Sequence, residues 1–114
     1  MKRDMDLIRI ILLSVEQNHA NKFLSDYDED TIKYHKALCI EADLVEGAIL
    51  PSGTGNREIP SAVMIKKLTW SGHDFIDAIA SDTNWTKVKD FLKDGGKQLT
   101  IETVKAAVIQ LFGL

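Results

Sequence analysis

At 114 residues, with 45% hydrophobic and 27% charged side chains, the chain has room for one core and an ordinary globular composition. Its net charge of −3 excludes an overall basic footprint, so any contact with nucleic acid has to come from a local patch. A single cysteine, Cys39, excludes an internal disulfide and a Cys-rich zinc site, and reads as a small buried hydrophobe.

The first expected helix covers residues 3–17. Met5, Ile8, Ile11, Leu12 and Val15 recur at three- and four-residue spacing and make one apolar face. Asp4 and Asp6 stand in its first turn, where carboxylates complement the helix dipole. The longest unbroken apolar run here is residues 10–13, too short for a signal-peptide core or a membrane span, and the chain is read as cytoplasmic. Residues 22–25 read as a short strand. A second helix is expected over residues 28–42, opened by Asp28, Glu29 and Asp30. Its inward stripe is Ile32, His35, Leu38, Cys39 and Ala42, with His35 buried and hydrogen-bonded. Asp43 then occupies the stop position that glycine usually takes, as one of the few other residues tolerating a left-handed cap.

Two β-like runs follow, residues 44–50 and 62–68. Between them PSGTGNREIPS holds both prolines and two glycines, which predicts a hairpin with a long polar tip. Ser71, with Asp74 three residues on, predicts the cap of a third helix burying Phe75, Ile76 and Ile79. A fourth segment, residues 82–94, carries Trp85, Val88, Phe91 and Leu92 at helical spacing and ends at Gly95-Gly96. Thr100 predicts the cap of a final helix with Ile101, Val104, Val108, Leu111 and Phe112 on its apolar stripe. Trp70, Phe75, Ile79 and Trp85 are read as buried anchors between the hairpin and the helical tail.

Helix, helix, long-tipped hairpin and helix is the skeleton of a winged helix-turn-helix domain, and IKYHKALCIEADLVEG followed by KKLTWSGHDF resembles the passage from its second helix through the wing. The opening MKRDMDLIR, the central YHKALCIEADLVEG and LTWSGHDFIDAI with TNWTKVK together resemble a family of short bacterial and prophage-carried proteins known only as a domain of unknown function. The resemblance covers residues 1–90. It implies a winged-helix-like fold and a phage or mobile-element origin, and it brings no activity or catalytic residues. One departure stands out: residues 18–27 leave space only for a turn or short strand where a helix normally braces the recognition helix.

The expected fold class is therefore α+β. A winged helix-turn-helix-like core with a two- or three-stranded β-wing occupies residues 1–80 of a single domain, and a helical extension residues 81–114. The leading functional expectation is a non-enzymatic DNA-binding or regulatory protein. The wing segment, residues 51–67, sets Arg57, Lys66 and Lys67 against one acid, Glu58. Asn56, Arg57, Lys66 and Lys67, helped by Lys33 and Lys36, are the expected phosphate contacts. Against this, the candidate recognition helix sets two lysines against four acids and holds no Arg, Asn or Gln for base edges.

The alternative is a protein-interaction module, a phage-carried adaptor or inhibitor. It would meet a host protein or a second copy through the C-terminal helix, or a basic partner through the span 26–46, which sets seven acids against two lysines. An enzyme is the weakest reading. His73 and Asp77 are four apart and share a helix face, but a catalytic metal normally needs three protein ligands. No phosphate-cradling glycine loop or activated nucleophile accompanies them. No catalytic residue, metal, cofactor or membrane partner is expected.

Overall fold

The computed structural model of the chain describes residues 1–18, 21–53 and 58–113. Among them are five α-helices, one 3-10 helix and a two-stranded antiparallel sheet. The chain divides into two compact units, Met1–His73 and Asp74–Leu114, and the division falls within the third α-helix.

The first unit begins with α1, Met5–Glu16. Asp4 is its N-cap: the carboxylate accepts the N–H groups of Asp6 and Leu7 at 3.0 and 3.2 Å, satisfying two donors that the helix leaves unpaired. Met5, Leu7, Ile8, Ile11 and Leu12 are buried. Residues 22–25, expected as a strand, lie instead in a 3-10 helix, Lys22–Asp26. Asn21 caps it, its side-chain oxygen accepting Phe23 N–H at 2.9 Å. That local bond offers the backbone a turn in place of a ladder, which decides the outcome.

Helix α2, Glu29–Glu41, is capped by Asp28, whose carboxylate accepts Thr31 N–H at 2.7 Å. This bond holds the Asp28 carboxyl below the usual carboxylate range. Of the expected inward stripe, His35 and Cys39 are buried; Ile32, Leu38 and Ala42 are half-buried, and Ala37 joins the core from the stripe's edge. Asp43 has φ 59, in the left-handed region. Asp43 N–H donates to Ile40 O at 3.0 Å and Leu44 N–H to Cys39 O at 3.0 Å, the paired bonds of a Schellman motif. Burial pushes the Cys39 thiol up to about 12 from an ordinary 9.0. Between those values the unfolded chain releases the proton while the folded one keeps it, so this group's contribution to stability falls as pH rises from about 9 towards 12. The stability difference between the native protein and Cys39→Ala, measured by urea unfolding, is expected to shrink between about pH 8 and about pH 10.5. A difference that stays constant or grows would contradict this assignment.

Strands β1, Val45–Leu50, and β2, Ala62–Leu68, form the hairpin, which has two strands among the described residues. Val45 pairs with Leu68 and Glu46 with Lys67, after which the register slips so that Gly47 faces Ile65. Lys66 is the extra residue of this bulge. Leu44, Val45 and Leu68 are buried at the hairpin's root, and both strands pack on α2.

Helix α3, Trp70–Ile79, starts one residue before Ser71, and its cap is Thr69. The Thr69 hydroxyl accepts Gly72 N–H at 3.0 Å and donates to Asp43 O at 2.6 Å, while Thr69 N–H donates to Leu44 O at 3.0 Å. The cap thus also secures the turn after α2. Ser71 is exposed, and Trp70, expected as an anchor, is 86% exposed. At about 100° per residue, nine residues place Trp70 on the opposite side of α3 from Ile79, which is fully buried.

In the second unit Phe75, Ile76, Ala78 and Ile79 are buried on the remainder of α3. Helix α4, Asp82–Asp94, is capped by Ser81, which accepts Asn84 N–H at 3.0 Å. It ends in a second Schellman motif with Gly96 at φ 69. Helix α5, Ile101–Phe112, opens with a capping box between Thr100 and Thr103. Helices α4 and α5 pack together; Trp85, Val88 and Leu92 are buried on one and Val104, Ala107 and Val108 on the other. Phe91 and Leu111, expected inside, are 36% and 39% exposed at the stripe edges.

Candidate functional site

The first unit carries an open groove of about 450 Å³ between the 3-10 helix, α2 and the start of β2. Leu24 and Tyr27 line one side, Ile32, Lys33 and Lys36 the α2 wall, and Ala62 and Val63 the hairpin wall. Its surface is mostly apolar. The local sequence explains the arrangement. Asn21 caps the 3-10 helix and Asp28 restarts the chain as α2, so that Leu24, Ser25 and Tyr27 line the same groove as the first half of α2. Partial burial, and then the Asp4 carboxylate that accepts its hydroxyl, hold the Tyr27 phenol above its ordinary range.

Two of the six expected contact residues meet in this groove. Lys33 and Lys36 are three apart on α2 and so share a face. The Lys33 ammonium is 3.4 Å from the Glu29 carboxylate, one turn earlier; the Glu29 side chain is 84% exposed, so the pair is weak. No ion pair of Lys36 is found among the described residues. Lys66 and Lys67 do not join them. They stand at the hairpin's root, Lys66 in the bulge and Lys67 3.7 Å from Glu46. Asn56 and Arg57 lie outside the described residues. Sequence reasoning missed Leu24, Tyr27 and Val63 as parts of one site. The usable signal was Asn21 two residues before Phe23, a turn-capping pattern that argues against a strand.

The Gly-His-Asp triplet resolves differently. Gly72 is buried, whereas His73, Asp74 and Asp77 are exposed. A Cβ on Gly72 would stand 2.9 Å from the Leu44 carbonyl carbon and closer still to its oxygen. The glycine is there for backbone approach. Among the described residues no group of three or more His, Cys, Asp or Glu side chains is placed to share a metal ion, and no helix is long and apolar enough to cross a membrane. On α5 the large exposed apolar residues are Ile109 and Leu111, 58% and 39% exposed, beside a buried stripe already occupied by packing on α4.

These features define a mixed α+β protein with a lysine-edged groove. The chain belongs to the family described as "Hypothetical protein (DUF2513)", whose model matches residues 2–98. It is also similar to an uncharacterized protein of Haemophilus influenzae (strain ATCC 51907 / DSM 11121 / KW20 / Rd). The two are 35% identical over 111 residues, covering 92% of this chain and 90% of that one. No solved structure matches the chain.

Proposed function

We propose that the protein is a non-enzymatic regulatory protein of bacterial or prophage origin, a winged-helix variant that contacts duplex DNA in the cytoplasm. The observation that carries this reading is the juxtaposition of Lys33 and Lys36 on α2 with the tip-side end of β2. The element order supports it too. A 3-10 helix stands between α1 and α2, in the place where a helix-turn-helix motif keeps its bracing helix. In this reading Lys36, with Lys33 beside it, meets one phosphate run. The tip residues Asn56 and Arg57 reach the backbone or minor groove, and Lys66 and Lys67 add charge from the hairpin root. The acidic start of α2 and the absence of Arg, Asn and Gln from that helix favour phosphate contacts over base readout.

Titration of a labelled duplex at low salt tests the reading. Binding is expected to weaken on a log–log plot by about 0.9 per phosphate neutralised as salt rises. Lys36→Ala should lower affinity similarly for unrelated duplex sequences and reduce that slope by about 1. No binding at low salt, or binding unchanged in the combined Lys36→Ala, Arg57→Ala and Lys66→Ala variant, refutes it.

A further inference from the structure

We infer that the groove between the 3-10 helix, α2 and β2 is a docking site for a short acidic peptide segment carrying a bulky apolar residue. A phosphate backbone needs cations and hydrogen-bond donors, and has no use for an apolar floor. This groove has both. Leu24, Ile32, Ala62 and Val63 present half-buried apolar surface, and Lys33 and Lys36 edge it on the α2 side. Its volume of about 450 Å³ lies in the range of specific pockets and admits one large side chain with its flanking backbone.

Charge fixes the orientation of the occupant. Glu29 lies at one end of the α2 wall and engages Lys33 at 3.4 Å, which leaves Lys36, two turns further on, as the cation without an ion pair among the described residues. A ligand carboxylate placed over Lys36 and an apolar side chain seated between Ile32 and Val63 would meet complementary surfaces while keeping clear of Glu29. A basic residue seated at the Lys36 end would meet like charge, and the one carboxylate of the lining, Glu29, lies at the other end beside Lys33. The peptide and a duplex phosphate would compete for the same ammonium group. The inference shares that lysine with the proposed function but does not depend on duplex binding.

Selection of random peptides displayed on phage against the full chain tests it. Enriched sequences are expected to place Asp or Glu within about three residues of Leu, Ile, Met or Phe, one α-helical turn or a short extended step. A labelled synthetic copy of an enriched peptide should then bind the Ile32→Ala, Val63→Ala double variant about tenfold more weakly, a loss in keeping with removing apolar contact from a small pocket. Lys36→Ala should weaken it several-fold, and the effect should shrink at high salt. Circular dichroism and thermal melts verify that both variants stay folded. Binding of duplex DNA, if it occurs, should respond to Lys36→Ala but not to the charge-neutral floor variant, which separates the two ideas. Absence of enrichment, enriched peptides lacking acidic residues, or peptide binding indifferent to the floor variant would each overturn the inference.

Discussion

Gly72→Ala is expected to destabilise the protein by about 3 kcal/mol, the upper part of the range for forcing extra volume into a packed site. The usual expectation runs the other way, since replacing a helical glycine by alanine gains about 0.8–1.0 kcal/mol of helix propensity. Packing wins here because Gly72 lies against the backbone of Leu44, and a Cβ would stand 2.9 Å from the carbonyl carbon and overlap the oxygen. That oxygen cannot swing aside. It accepts Thr69 N–H at 3.0 Å, and Thr69 in turn donates its hydroxyl to Asp43 O at 2.6 Å. Asp43 itself sits at φ 59 in the Schellman turn that ends α2. Relief of the overlap would therefore disturb the α2 stop, the hairpin root and the α3 cap together. Urea unfolding of the variant gives the result directly, and stability equal to or above the parent would refute the close-approach account. The same measurement separates the two cap assignments: Thr69→Ala should cost about 1 kcal/mol or more and Ser71→Ala almost nothing.

This region shows what the sequence made legible and what it could not. The helical stripes were readable because burial follows the 3.6-residue period, and Met5, Ile8, Ile11 and Leu12 are all inside. Asp43 was readable because few residues accept a left-handed cap, and the hairpin because its turn residues are bunched between two apolar runs. The 3-10 helix was lost because a four-residue apolar-polar stretch fits more than one period. Gly72 was conspicuous, yet its cause lies in Leu44, 28 residues earlier across the hairpin, and no local pattern encodes that contact. Trp70 was misread because aromatic residues are usually buried, whereas its position on α3, half a turn from Ile79, faces it outward. The groove was half legible. Lys33 and Lys36 were named as phosphate contacts on the second helix, but the apolar floor beside them needs the chain to fold back through residues 24–27.

His35→Leu is expected to cost about 2 kcal/mol even though leucine is the more apolar residue, because it leaves a part-buried backbone donor unpaired. His35 is 1% exposed, and its ring joins two elements far apart in sequence. Nε2 accepts the backbone N–H of Asp4 at 2.8 Å, and Nδ1 donates to Thr31 O at 2.8 Å. Only the neutral ring with its proton on Nδ1 satisfies both bonds, since an amide N–H needs an acceptor at Nε2. Asp4 is meanwhile the cap of α1, so the ring fixes the start of that helix against the middle of α2. Tyr34 packs edge-on against it at 5.3 Å between ring centres. Leucine would fill the space but return nothing to Asp4 N–H, which faces the interior at that point. His35→Gln supplies an acceptor oxygen and should recover part of the loss, a rescue that a simple volume effect would not produce. Ring nitrogen chemical shifts should report the Nδ1–H tautomer in the native protein. A His35→Leu variant as stable as the parent, or a ring carrying its proton on Nε2, would show that the Asp4 bond does not hold these two helices together.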